Sequence, residues 1–261
     1  MTGHLNPIRH IRLGHCPSTQ EYFRNHLEEL MPLLPVCVTA DAQTGGRGRE
    51  NRSWHSPPGL GLYLSWGFRL NRREALPWVP LAVGVAVAEA IENLCRSGRL
   101  QLKWPNDILI RNRKVAGILS ESRLFRDAAV CICGIGINLN QRGEDFPGEL
   151  RERATSIRIS CGFSHSPDDM LEPLLYRLES AVTQLEKGRF RRLRSRVLRR
   201  TRWMRSTPLS FNQGGVRKRG RYDGIAPDGG MILVDEQGRK ETCYSGEVIV
   251  EPYDAGGTIH R

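Results

Sequence analysis

The sequence lacks several patterns by which common functional sites are recognised. Its seven cysteines include no C-x-x-C pair and no zinc-like spacing with histidine, which predicts reduced thiols and no zinc site. Neither a G-x-G-x-x-G nor a G-x-x-x-x-G-K-[ST] loop occurs, which excludes the two common loops that cradle nucleotides. Nothing resembles a secretion signal, and the most apolar segment, 79–91, is shorter than the roughly twenty residues that span a bilayer. We therefore expect a cytoplasmic protein without membrane contact, with 79–91 as a buried helix.

Negative charge is also scarce, since the formal net charge is +11. This excess favours an acidic partner, which can be a nucleotide, a nucleic acid or an acidic protein surface. Many of the arginines lie in one stretch, 189–205, which also carries a helical apolar spacing. Two interpretations stay open for it: a solvated helix face, or an electrostatic guide for an acidic carrier protein.

The 261 residues suffice for one sizeable core and a smaller module. Ser18 to Glu21 fits a capping box that begins a helix of about three turns, and Ser166 caps a longer helix that ends at Gly188. From about residue 205 the pattern changes to short β runs separated by turns. We predict an α+β fold with domains 1–204 and 205–261. Predicted strands are 36–40, 60–66, 100–104, 130–139, and a hairpin of 107–110 with 114–119.

The segment 43–54 sets three arginines among glycines and ends at Trp54. Glycines give the backbone freedom to fold over a ligand, and arginine forks suit phosphate or carboxylate oxygens. Further along, Leu102 and Trp104 alternate with Lys103, which places the lysine on the opposite strand face. Glycines 134 and 136 lie inside another apolar strand, where a ligand or a backbone often comes close. Cys131 and Cys133, in the same strand, are expected to serve packing alone.

Four separated segments together resemble a biotin–protein ligase: Ser18-Thr-Gln, the 43–54 loop, Lys103-Trp-Pro-Asn-Asp through Lys114-Val-Ala-Gly, and Gly134-Ile-Gly-Ile-Asn. The resemblance runs from about Ser18 to Asn138, with a weaker match in the C-terminal part. It implies a mixed sheet with helices, similar to class II aminoacyl-tRNA synthetases, followed by a small SH3-like β-barrel. Only seventeen residues precede Ser18, so the short bacterial type without an N-terminal DNA-binding domain is expected.

The resemblance also implies a two-step reaction. Biotin and ATP, with Mg²⁺, give biotinyl-5′-adenylate and diphosphate, and a lysine of a biotin carboxyl carrier domain of acetyl-CoA carboxylase then takes the biotinyl group and releases AMP. No sequence-specific DNA binding is expected. The resemblance leaves open whether the protein is a monomer or a homodimer, for which a strand edge near 130–139 is one candidate surface.

Residue roles follow the same resemblance. The catalytic residues would be Lys103, Arg49 and Lys114, and Asp107 would lie near the metal. Biotin would meet Ser18, Thr19, Gln20, Gln43, Arg47, Gly48, Arg49 and Lys114. ATP and the adenylate would meet Arg49, Arg52, Trp54, Lys103, Asn106 and Asn138.

Two residues depart from the family pattern. Gln20 stands where asparagine is usual, and Asn51 stands where glycine is usual; asparagine tolerates a left-handed backbone better than most residues. The rival enzyme class is a lipoate or octanoate ligase or transferase of the same fold. It would not be expected to carry Gly-Arg-Gly-Arg followed by Lys-Trp-Pro-Asn-Asp. A DNA-binding repressor is the rival from another class.

Overall fold

A seven-stranded mixed sheet forms the larger part of the protein, in a computed structural model that describes residues 8–95, 100–205, 207–213 and 216–250. Its strand order is β1-β2-β3-β7-β6-β5-β4. Strands β1 and β2 run parallel, and the remaining neighbours pair antiparallel. The strands are β1 Arg9–Cys16, β2 Val36–Gln43, β3 Gly61–Leu70, β4 Gln101–Lys103, β5 Asp107–Ile110, β6 Arg113–Leu124 and β7 Ala129–Asn138.

Helices cover both faces of this sheet. Val36 and Val38 pack with Phe23 on one face, whereas Cys37 between them belongs to the larger core on the other, as the alternation of a strand requires. The first face carries α1 and α2, and the second carries α3 and α5. The helices are α1 Thr19–Asn25, α2 Leu27–Leu30, α3 Val79–Leu94, α4 Ile157–Cys161, α5 Pro167–Glu186 and α6 Phe190–Thr201.

The predicted buried helix is confirmed as α3. Together with the preceding 3₁₀ turn it is long and apolar enough to cross a membrane by composition alone, but 72% of its most apolar 18-residue window is buried inside the protein. It is the central helix of the core. The cap of α5 is also confirmed. The Ser166 side chain accepts a hydrogen bond from the Asp168 amide, and the Asp169 carboxylate accepts one from the Ser166 amide.

The prediction for the first helix is only partly right. Ser18 occupies the N-cap position, but its side chain makes no capping hydrogen bond, so the predicted capping box is wrong. The single helix of three turns is also wrong, because it breaks at His26 into α1 and α2. There the Tyr22 carbonyl oxygen meets both the His26 amide and its ring Nδ1, at 3.1 and 2.9 Å.

Two further expectations fail. Cys95 and Cys161 form a disulfide with Cα atoms 5.8 Å apart, so the prediction of reduced thiols holds only for the other five cysteines. Strand β7 lies between β3 and β6 in the middle of the sheet. It therefore offers no edge for pairing of subunits; the sheet edges are β1, which the sequence analysis did not predict, and β4.

A second, antiparallel sheet of five strands follows α6, in the order β11-β10-β9-β8-β12. The predicted turns are present, with Gly229 and Gly238 at φ values of +97° and +79°. Within the described residues the sheet is open, since β11 does not pair with β12. Residues 251–261 of the predicted second domain lie outside the described part. The strands are β8 Pro208–Gln213, β9 Val216–Ile225, β10 Met231–Val234, β11 Lys240–Cys243 and β12 Glu247–Val250.

Part of the arginine-rich stretch is internal, so a solvated helix face, one of the two interpretations left open, describes only its remaining arginines. Arg196 and Arg200 on α6 and Arg177 on α5 converge on Glu89 and Glu92 of α3. The Arg200 side chain is only 8% exposed, and both its terminal nitrogens bond the Glu92 carboxylate at 2.8 and 2.9 Å. These contacts tie α6 to the core helix.

Candidate active site

A buried network of hydroxyl and amide side chains lies where α1 meets the sheet. Gln43 Oε1 accepts from the Thr19 amide at 2.9 Å and from the Thr19 hydroxyl at 3.2 Å. Ser65, fully buried in β3, donates to Thr19 Oγ1 at 2.9 Å and lies 3.0 Å from Gln20 Oε1. Gln43 Nε2 donates to Ser56 Oγ at 2.9 Å. The network thus links three predicted residues with two serines that the sequence analysis missed.

The departure at Gln20 has a clear structural effect. Its amide nitrogen reaches across the sheet to the carbonyl oxygens of Ile132, at 3.3 Å, and Leu119, at 3.5 Å. A Cβ at Gly134 would lie 2.8 Å from Gln20 Oε1, so the longer side chain uses the space that this glycine leaves. The amide group of Gln20 therefore bonds the sheet itself.

Next to this network, two paired glycines leave a patch of the sheet surface without side chains. Gly117 on β6 and Gly136 on β7 pair across the strands, and the Trp54 indole lies on both. A Cβ would come within 2.3 Å of the indole at Gly136 and within 2.9 Å of it at Gly117. The indole Nε1 is buried and has no hydrogen-bond partner among the described residues. This glycine floor, Gly117 and Gly136, makes room for the flat Trp54 indole.

The 43–54 loop folds back on itself, as its composition predicts. The Gly48 amide donates to the Arg52 carbonyl at 2.7 Å, and the Trp54 amide donates to the Gly46 carbonyl at 2.8 Å. Asn51 takes the left-handed conformation expected of it, with φ of +58°, and Glu50 beside it has φ of +54°. Glutamate tolerates this left-handed conformation less well than asparagine does, so the backbone is more strained at Glu50 than at Asn51.

Positive charge gathers at the ends of β4, β5 and β6. Lys114 Nζ lies 2.7 Å from Asp107 Oδ1 and 5.2 Å from the centre of the Trp54 ring. Arg49 Nη1 donates to Asn106 Oδ1 at 3.4 Å, and so brings the loop to the turn that follows Lys103. Burial lowers the pKa of the Lys103 ammonium, although Asp107 and Glu247 oppose that shift.

Not every predicted residue points into this cluster. The exposed Arg47 pairs with Glu21 of α1 at 3.3 Å. Arg52 forms an ion pair with Glu247, which lies on β12 of the second sheet. That hydrogen bond lowers the pKa of Glu247 and raises that of Arg52. The second sheet therefore contacts the loop directly.

Asn138, at the end of β7, anchors the strand that bears Lys114. Its amide donates to the Thr155 carbonyl at 3.0 Å and approaches the Lys114 carbonyl at 3.5 Å. The Thr155 amide in turn donates to Lys114 O at 2.9 Å, and the fully buried Gln141 donates to Asn138 Oδ1 at 3.3 Å. The backbone of Lys114 is thus fixed from two sides.

A metal held by protein side chains alone does not fit this site. Within the described ranges, no three His, Cys, Asp or Glu side chains come close enough to hold one. Asp107 Oδ1 is buried, and its contact with Lys114 lacks hydrogen-bond geometry. Mg²⁺ bound mainly through substrate phosphates needs only one or two carboxylates. Asp107 therefore fits an ion that arrives with a nucleotide.

The parts of the site suit a ligand with three different regions. The polar network can pair with a small head group that has hydrogen-bond donors and acceptors. The Trp54 indole, which lies on the glycine floor, can contact an apolar body, and the lysines and arginines can hold carboxylate and phosphate oxygens. Bringing two anions together between fixed cations is the requirement for joining an acid to a nucleotide phosphate.

Comparison with known proteins identifies relatives. Residues 15–138 match the model of the Biotin/lipoate A/B protein ligase family. The chain is similar to the biotin–[acetyl-CoA-carboxylase] ligase of Paracoccus denitrificans, with 30% identity over 78% of this chain and 85% of that protein. Among solved structures, the biotin protein ligase from Aquifex aeolicus in complex with biotin and ATP aligns with a TM-score of 0.78 and 31% identity, over 93% of this chain and 98% of that one.

The identity is higher to the bifunctional ligase/repressor BirA of Bacillus subtilis, at 43% over 129 residues. That alignment covers 49% of this chain and only 39% of the BirA chain.

Proposed function

The chain belongs to the biotin/lipoate A/B protein ligase family, and on that premise we propose that it is a biotin–protein ligase. It activates biotin with ATP as biotinyl-5′-adenylate and transfers the biotinyl group to a lysine of a biotin carboxyl carrier domain of acetyl-CoA carboxylase. The observation that carries the proposal is the meeting of a buried polar network, the glycine floor and a cluster of cations on one face of the sheet.

In the first step a carboxylate oxygen of biotin attacks the α-phosphorus of ATP, and diphosphate leaves. Both reactants are anions, so fixed cations must lie between them. Lys103, Lys114 and Arg49 supply this charge, while Thr19 and Gln43 hold the ureido ring. Ser18, Gln20, Arg47 and Gly48 complete the surroundings of biotin.

ATP is held by Lys103, Arg49 and Arg52, and its adenosine lies near Trp54, Asn106 and Asn138. Asp107 would hold Mg²⁺ that arrives with the nucleotide. The ion neutralises phosphate charge when bound.

In the second step the neutral amine of the carrier lysine attacks the acyl carbon of the mixed anhydride. An amide bond forms, the bond from the acyl carbon to the phosphate oxygen breaks, and AMP leaves as the amine loses its proton. Water would hydrolyse the adenylate, so the loop and Trp54 must cover it between the two steps.

The proposal extends to the architecture. Domain 1–204 corresponds to a catalytic domain of class II aminoacyl-tRNA synthetase type, and domain 205–261 to a small SH3-like barrel. The protein acts in the cytoplasm without sequence-specific DNA binding. Whether it works as a monomer or a homodimer is decided by its mass in solution.

The test incubates the purified protein with biotin, ATP, Mg²⁺ and a carrier domain, and mass spectrometry then seeks one biotinyl group on one lysine. Lipoate and octanoate replace biotin in parallel reactions. The result expected is modification with biotin alone and AMP as the nucleotide product. Modification with lipoate or octanoate in place of biotin would assign the chain to the rival class.

A further inference from the structure

The arginines of α6 divide into two sets. One set is directed inward: Arg196 and Arg200 bind the carboxylates of α3, and Arg194 donates to the Ile225 carbonyl oxygen at 2.6 Å. These three contacts hold the helix on the core and on the second sheet.

The other set is exposed and forms what we name the arginine face: Arg189, Arg191, Arg192, Arg199 and Arg202. Across the described residues, none of the five side chains makes an ion pair or a hydrogen bond. Three of them, with Gly188, line a surface depression of about 340 Å³. The face therefore presents unneutralised charge, and part of that charge surrounds a shallow, open depression.

The length and density of this charge match a polyanion. The first and last of these arginines, Arg189 and Arg202, flank the two ends of α6. At a rise of ~1.5 Å per residue they lie about 20 Å apart along the helix axis. A nucleic-acid strand carries one negative charge per ~3.4 Å, so about six phosphates would lie along the same length. We propose that the arginine face binds the phosphate backbone of a nucleic acid without reading its sequence.

The composition of the face favours nucleic acid over an acidic protein. The centres of protein interfaces combine arginine with aromatic residues and methionine, and are depleted of other charged residues. The apolar side chains of α6, such as Leu193 and Val197, are buried in the core, and its exposed positions carry only arginine and Ser195. Such a surface can form ion pairs and hydrogen bonds with phosphates, but it has no apolar group to contact a protein partner.

The arginine face is also separate from the candidate active site. Helix α6 packs against α3, β9 and the core-facing side of β4, where Leu102 lies, whereas Lys103 of β4 faces the other way. Helix α3 covers the sheet face opposite to α1 and the polar network. Binding of nucleic acid should therefore leave adenylate formation unchanged. The inference goes beyond the proposed ligase activity and does not depend on it.

The test measures binding of the full-length protein to a fluorescent duplex of mixed sequence and to poly(dT) at several salt concentrations. The variant is Arg191→Gln/Arg192→Gln/Arg199→Gln, and the control Arg9→Gln/Arg69→Gln/Arg126→Gln removes three exposed arginines elsewhere. Each phosphate contact adds about 0.9 to the slope of log affinity against log salt for duplex DNA. The variant should lose up to about 2.7 of that slope, and the control should lose little.

Equal slopes for variant and control would overturn the proposal, as would binding that depends on one sequence. Poly-glutamate competing as well as DNA, at matched charge, would assign the face to an acidic protein and also overturn it. Diphosphate release with biotin and ATP is measured on the same samples. If the wild-type protein released no diphosphate, that result would count against the ligase proposal alone, because DNA binding is measured independently.

Discussion

Lys103 offers the sharpest test of how the site handles charge. The lysine is half-buried at the end of β4, with Asp107 and Glu247 as its acidic neighbours. A unit charge acting on a phosphate oxygen at 4 Å contributes about 4 kcal/mol at an effective dielectric constant of ~20. Solvent screening at a half-buried position reduces this to about 3–4 kcal/mol, which corresponds to roughly a hundredfold to a thousandfold in rate.

We therefore expect Lys103→Met to lower biotin-dependent diphosphate release by about two to three orders of magnitude. Methionine keeps the apolar stem of the side chain, so folding should be preserved, and thermal melting checks it. Biotin binding by calorimetry should change by less than about threefold, since Thr19, Gln43 and Ser65 form the polar network without Lys103. The matched control is Lys187→Met, an exposed lysine at the end of α5.

The reasoning fails if Lys103→Met keeps adenylation within about threefold of the wild type while biotin still binds. It also fails if the loss appears wholly as weaker biotin binding, because Lys103 would then belong to the vitamin end of the site. Lys114→Met separates these roles: its loss should weaken biotin binding, whereas that of Lys103 should not.

Three further predictions follow from the same contacts. Arg49→Ala should raise the amount of free adenylate released per transferred biotinyl group, measured by chromatography of the products; an unchanged ratio would mean that this side chain does not close the site. Glu247→Gln should move the alkaline fall of the adenylation rate to lower pH, because Glu247 raises the pKa of Lys103 and its removal leaves the effect of burial less opposed; a shift to higher pH would refute that coupling. Arg200→Met should lower stability by about 3–5 kcal/mol, because it leaves Glu92 without its bidentate partner, and a urea midpoint within error of the wild type would show that water replaces the arginine.

The sequence predicted the elements whose signals are local. The alternation of Leu100, Leu102 and Trp104 gave strand β4 and its buried face, all three side chains being less than 4% exposed. Asn51 was expected to tolerate a left-handed backbone, and it adopts one. In both cases the neighbouring residues alone determine the conformation.

The missed features depend on tertiary contacts. Strand β1 has only a short alternation of Ile11 and Leu13 between charged residues, and it is a strand because β2 pairs with it. Ser65 had one signal, a hydroxyl inside an otherwise apolar strand. Glu247 had no signal in the sequence, because β12 comes close to the 43–54 loop only in the folded protein. The functional roles of the site residues stay predictions until the variants are measured.

The pair between Arg52 and Glu247 joins a loop near the start of the chain to a strand near its end. During synthesis on the ribosome, all seven strands of the first sheet emerge long before β12 does. A nascent chain can thus assemble the floor and the polar network while Arg52 still lacks its carboxylate partner. The contact between Arg52 and Glu247 can form only after β12 has been made, so a chain that stops before β12 would lack it.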